Sequence, residues 1–82
     1  MKYSYPIVLT QGKEYILVYI PDFNINTQGK THREAIDMAR YAIQLMVVDM
    51  QSDSFPIPAP SLSLDPRDYA GSTLCFVDIT VE

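Results

Sequence analysis

Gly29-Lys30-Thr31 has the residue types of a phosphate-binding loop. It also stands where such a loop stands, between an apolar strand-like run and a long helix-like run. A full phosphate loop needs a glycine five positions earlier, so that the backbone can curl around the anion. That position is Asn24, bulky Phe23 and Ile25 flank it, and no acidic strand follows to hold Mg²⁺. The triplet therefore reads as a glycine turn ahead of a capped helix. His32, the sole histidine, falls in the first turn of that helix with no nucleophile or orienting acid at helical spacing, so it reads as a surface residue. A zinc site takes three or four ligands, which His32 and Cys75 on distant elements do not supply. Cys75 alternates with Val77 and Ile79 and reads as a small core residue. A metal-dependent nuclease needs acids converging from neighbouring elements. Here Asp22, Asp37, Asp49, Asp53, Asp65, Asp68 and Asp78 are scattered, and the stretch Tyr3 to Thr10 has no acid. The expectation is a chain without catalytic, cofactor or metal residues.

The elements that position these residues follow from hydrophobic period. Tyr3, Tyr5, Ile7 and Leu9 alternate, predicting a first strand from Tyr3 to Thr10. Pro6 has no amide donor, so its nitrogen must face away from a ladder partner. Gln11-Gly12-Lys13 predicts a turn with Gly12 free to take positive φ. Glu14 to Ile20 is apolar at nearly every position, as in a central or doubly covered strand. Pro21-Asp22 ends it, and Asn24 to Gln28 predicts a short third strand.

Thr31 and Glu34 form a capping box, with the Thr31 hydroxyl accepting from the Glu34 amide and the Glu34 carboxylate reaching back to the Thr31 amide. The helix is predicted from His32 to about Met50. Ile36, Ala39, Ile43, Met46, Val47 and Met50 make its apolar stripe, flanked by Ala35 and Ala42. Met38, Met46 and Met50 lie on or beside the stripe and are assigned to the core. Four prolines between Ser52 and Ser72 exclude long helix or central strand there. Asp65-Pro66 and Gly71 frame one short helical turn. Thr73 to Val81 alternates as a last strand. The order β-β-β-α-β predicts an α+β two-layer sandwich with one long helix on one face of a mixed sheet. Its last strand would run parallel to the first or third through a right-handed crossover.

Eighty-two residues make a single domain, 1–82, with a small core that gains from association. Ten acids against six bases give a net charge of −4. That balance disfavours nucleic acid and anionic membranes and suits a basic protein partner. One cysteine excludes an internal disulfide and fits a reducing cytoplasm. The start Met1-Lys2-Tyr3-Ser4-Tyr5-Pro6 lacks a signal-peptide core, and no apolar run approaches the roughly 20 residues that span a bilayer.

Four segments in order carry a resemblance. They are Tyr15-x-Leu17-Val18-x-Ile20-Pro21-Asp22-Phe23, Thr27-Gln28-Gly29-Lys30-Thr31-x-x-Glu34-Ala35, Ala39-x-x-Ala42-Ile43 and Pro56-Ile57-Pro58-x-Pro60-Ser61. Together they resemble the HicB family of bacterial antitoxins, nearly end to end. That family shows a strand ending Pro-Asp-Leu-Pro-Gly-Cys, a Thr-x-Gly-x-Thr-x-x-Glu-Ala helix start and a later Ile-Pro-x-Pro-Ser. Here Asn24-Ile25-Asn26 replaces Pro-Gly-Cys. The family's usual C-terminal DNA-binding module has no counterpart before Glu82.

The resemblance implies a partly reduced ribonuclease-H-like fold without nuclease activity. It further implies inhibition of a basic HicA-type mRNA interferase by occlusion of its RNA site, in a type II toxin-antitoxin system. The other reading is a solitary HicB-like module that only homo-oligomerises, as a dimer or tetramer, or binds an unrelated protein. Asp22 and Phe23 at the sheet end, and the helix acids Glu34, Asp37 and Asp49, are the candidate partner-binding residues. On the core assignment, Ile43→Asp abolishes cooperative folding, because it buries an unpaired carboxylate at a cost of several kcal/mol. Circular dichroism on heating checks this, and a melt near wild type would put the apolar stripe on the wrong face.

Overall fold

Strand alternation and turn chemistry carry through to the computed structural model, which describes residues 2–81. The chain runs β1 (Lys2–Gln11), β2 (Ile16–Ile20), β3 (Ile25–Gly29), α1 (His32–Ser52), a short 3-10 turn (Pro66–Tyr69) and β4 (Thr73–Thr80). The four strands make one sheet in the order β3-β2-β1-β4. The register Leu9↔Val18 and Tyr5↔Val77 puts Tyr5, Ile7 and Leu9 on the same face as Ile16, Val18 and Ile20 and as Val77 and Ile79. That face meets Ala35, Ala39, Ile43 and Val47 of α1, and together these side chains form the core.

Every neighbouring pair is antiparallel, β4 with β1 included. This corrects the expectation of a mixed sheet with a parallel last strand. The crossover rule assumes a helix that carries the chain back to the starting end of the sheet. Here the helix finishes near the Ile79 end of β4, and residues 53–72 then travel the sheet's length before β4 begins. Ser61 lies at one end, bonded to Asp22, and Ser72 at the other, bonded to Thr10. That second traverse reverses the direction of the strand.

Why α1 starts at His32 is plain from its cap. Thr31 holds an extended backbone, φ −127° and ψ 166°, and its Oγ1 accepts from the Glu34 amide at 3.0 Å. The Glu34 carboxylate reaches back one residue further than the usual box, accepting from the Lys30 amide at 3.2 Å. The 21-residue helix is about 31 Å long. It closes two residues later than Met50 because the Phe55 amide bonds back to the Met50 carbonyl at 2.8 Å. Ser54 takes the left-handed φ of 60° that this closure needs, a place glycine usually holds. Ala35 is fully buried rather than flanking, whereas Ile36, Met46 and Met50 pack at the core's margin.

Two glycines behave differently from a plain turn reading. Gly12 keeps negative φ, and its constraint is proximity: a Cβ there would lie 2.7 Å from the Tyr15 carbonyl oxygen. At Gly29 an added Cβ would lie 2.7 Å from the Ala35 Cα and closer still to its amide nitrogen. The glycine thus lets the first turn of α1 sit directly against the end of β3. Gly29→Ala is expected to destabilise the protein by about 1–3 kcal/mol through forced overpacking, measured as a shift in the urea unfolding midpoint.

Candidate partner-binding surface

Lys30 and Thr31 alone join β3 to α1. Thr31 is spent on capping and Gly29 on packing, so the triplet forms no curl of backbone amides around an anion. Among the described residues, no group of three or more His, Cys, Asp or Glu side chains is placed to hold a metal ion. His32 is exposed at the helix start. Cys75 is half-buried, and burial pushes its thiol pKa up, away from the reactive thiolate.

The proposed contact residues separate into two groups. Asp22 faces inward to the chain's own return segment. Its carboxylate accepts from the Ser61 amide at 2.9 Å and from the Ser61 hydroxyl at 2.5 Å. Phe23 is buried, its ring 4.8 Å from that of Tyr5 in an edge-to-face pair. The turn holding them closes with Asn24 at φ 52°, a left-handed position asparagine tolerates. Tyr5 in turn donates its hydroxyl to the Pro58 carbonyl at 2.7 Å. Burial, with Tyr3 and Asp22 nearby, raises its phenol pKa. Pro21-Asp22-Phe23 and Ile57-Pro58-x-Pro60-Ser61, far apart in sequence, are thus two sides of one structural joint.

Glu34, Asp37 and Asp49 remain exposed on α1. Glu34 caps, and Asp37 pairs with Arg40 at 3.3 Å in an exposed ion pair of small energetic weight. Between these acids lies a feature that the core assignment concealed. Met38, Tyr41, Leu45 and Val48 follow a three-four-three spacing on the side of α1 away from the sheet, and are 37, 58, 51 and 57% exposed. Met38 therefore belongs to the surface, which corrects its assignment to the core, while Met46 and Met50 do pack against it. The spacing was visible in the sequence. It reads as an outer stripe only once Ala35, Ala39, Ile43 and Val47 are known to face the sheet. A second half-exposed apolar pair, Leu17 and Phe76, lies on the sheet face turned away from α1.

Similar architectures exist among solved structures. One is described as a toxin-antitoxin complex from Streptococcus pneumoniae. The likeness has a TM-score of 0.83 at 23% identity and covers 98% of this chain and 70% of that one. Another is described as the HicA3 and HicB3 toxin-antitoxin complex. There the TM-score is 0.68 at 26% identity, covering 90% of this chain and 94% of the other. The fold is one found in toxin-antitoxin complexes. No family model matches the sequence, and no curated protein matches it.

No helix among the described residues is long and apolar enough to cross a membrane. The joint at Asp22 generates a direct test. Asp22→Ala is expected to cost about 1.5–3 kcal/mol, the usual worth of hydrogen bonds to a charged group. Limited proteolysis should then cut faster between residues 53 and 65; an unchanged cleavage rate would mean the segment is held elsewhere.

Proposed function

We propose that this chain is an antitoxin-like binding module of a type II toxin-antitoxin system. It has the architecture of a reduced ribonuclease-H-like domain and works by binding, not by catalysis. The observation that carries the reading is the match to the HicA3 and HicB3 complex, at 26% identity over 90% of this chain and 94% of the other. The HicB-like segments support it, since two of them meet at Asp22 and Ser61.

The partner is a small basic protein, an mRNA interferase of HicA type, held so that its RNA site is covered. The outer face of α1 suits that role. Met38, Tyr41, Leu45 and Val48 supply apolar area, and Glu34, Asp37 and Asp49 border it with negative charge. A net charge of −4 would speed encounter with a basic partner at low salt.

Co-expression with the product of the adjacent gene tests the reading. A stable complex is expected, with RNA cleavage by the basic partner lost on mixing. Leu45→Glu, in the middle of the stripe, should weaken that complex by roughly thirtyfold or more, as for loss of a central interface residue. Absence of any complex, or cleavage undiminished within one, would overturn it.

A further inference from the structure

The outer apolar residues of α1 keep a repeat of their own. Met38 recurs seven positions on as Leu45, and Tyr41 as Val48. A seven-residue repeat falls slightly short of two helical turns, so the seam slants by about 20° per heptad around α1. Glu34 and Ser52 continue the same repeat and close the seam at either end with polar side chains. From Met38 to Val48 the seam is about 15 Å long. The backbone beneath it is hydrogen-bonded within the helix. A partner segment that covers the seam therefore meets side chains only, with no strand edge to join, and must arrive with its own backbone groups satisfied. A helix does that. The slanted seam is also the shape that a second helix follows, crossing at about 20° with its side chains set between those of α1.

At Val48 the seam opens into a trough of about 370 Å³ between α1 and the end of β4, where Val47 and Ile79 supply apolar lining. Charge then decides what kind of helix fits. The positions flanking the seam are 37, 44 and 51 on the β4 side and 42 and 49 on the other. They hold Asp37, Gln44, Gln51, Ala42 and Asp49, two acids and no base. Glu34 adds a third acid in line with the seam. Arg40, the nearest base, is turned towards β4: its Nε donates to the Asp78 carbonyl at 3.2 Å. A second copy of this chain would bring the same acids and the same net charge of −4. A helix with Lys or Arg beside its apolar row meets those acids with opposite charge.

We infer that the partner engages α1 with a helix of its own. That helix is amphipathic, with apolar residues at heptad spacing and basic residues flanking them. It lies along the seam from Met38 to Val48, with one end seated over the trough beside β4. The inference rests on the antitoxin reading for the existence of a partner, and it adds the element by which that partner is held.

Photo-cross-linking within the complex formed with the product of the adjacent gene tests it. The photoreactive residue p-benzoylphenylalanine is placed singly at Asp37, Gln44 and Gln51, three exposed positions on one flank of the seam. Cross-linked partner residues, read by mass spectrometry, should fall on one segment and advance by about seven residues from each position to the next. A strand covering the same distance of about 10 Å would advance by only about three. In the same complex, Asp37→Asn combined with Asp49→Asn should raise Kd by roughly tenfold at low salt and by much less at high salt. Leu17→Lys, on the sheet face turned away from α1, should leave Kd unchanged, and circular dichroism melts identify any variant that fails to fold. Cross-links scattered over several segments, or advancing at strand spacing, overturn the inference and leave the antitoxin reading standing. So does a low-salt Kd that ignores the double substitution. Failure to form any complex overturns both.

Discussion

The close approach of Gly29 to Ala35 governs how the layers meet. With no side chain at Gly29, the backbone of the first helical turn sits directly on the end of β3. The Thr31 cap leaves only two residues to make the connection. A helix begun that tightly has little freedom of direction. It crosses the sheet from β3 towards the far end of β4, with Ala35, Ala39, Ile43 and Val47 buried against the sheet. The fully buried Ala35, Ala39 and Ile43, with Val47, fill the layer between helix and sheet.

The helix therefore ends at the opposite corner from where the last strand must begin, and the chain needs a way back. Residues 53–72 provide it with almost no regular structure. Their prolines cannot continue a helix, so the segment is held by anchors instead. Tyr5 bonds Pro58, Asp22 bonds Ser61, and Ile57 packs against the core. Asp65 caps the short 3-10 turn by accepting from the Arg67 amide at 2.9 Å, and the Arg67 side chain, bonded to the same carboxylate, holds the Asp65 pKa below its ordinary value. Antiparallel pairing of β4 is the result of this route.

Surface chemistry then divides by charge. The outer side of α1 joins an apolar stripe to acids, a combination suited to a basic protein. The groove between α1 and the end of β4, lined by Gln44, Val47, Val48, Gln51, Ile79, Thr80 and Val81, carries no charged side chain. One small domain thus presents two adjoining surfaces of different electrostatic character, which share Val48.

Much of this was determined by local sequence. Alternation in Tyr3 to Leu9 and Cys75 to Val81, the Thr31–Glu34 cap, the helix period and the Asp65-Pro66 turn each depend on neighbours a few residues apart, and each element formed close to where its pattern placed it, the helix running on to Ser52 and the Glu34 carboxylate bonding Lys30 instead of Thr31. Strand direction was not legible locally, because it depends on the path of a twenty-residue irregular segment whose anchors lie 39 and 53 residues away in sequence. The roles of Asp22 and Phe23 were hidden for the same reason: an acid and an aromatic at a strand end look like contact residues until Ser61 and Tyr5 arrive beside them. Met38 was equally ambiguous, since a helix with apolar residues on two sides does not say which side faces the sheet. Tertiary packing decided it, through the one glycine whose missing side chain lets Ala35 in.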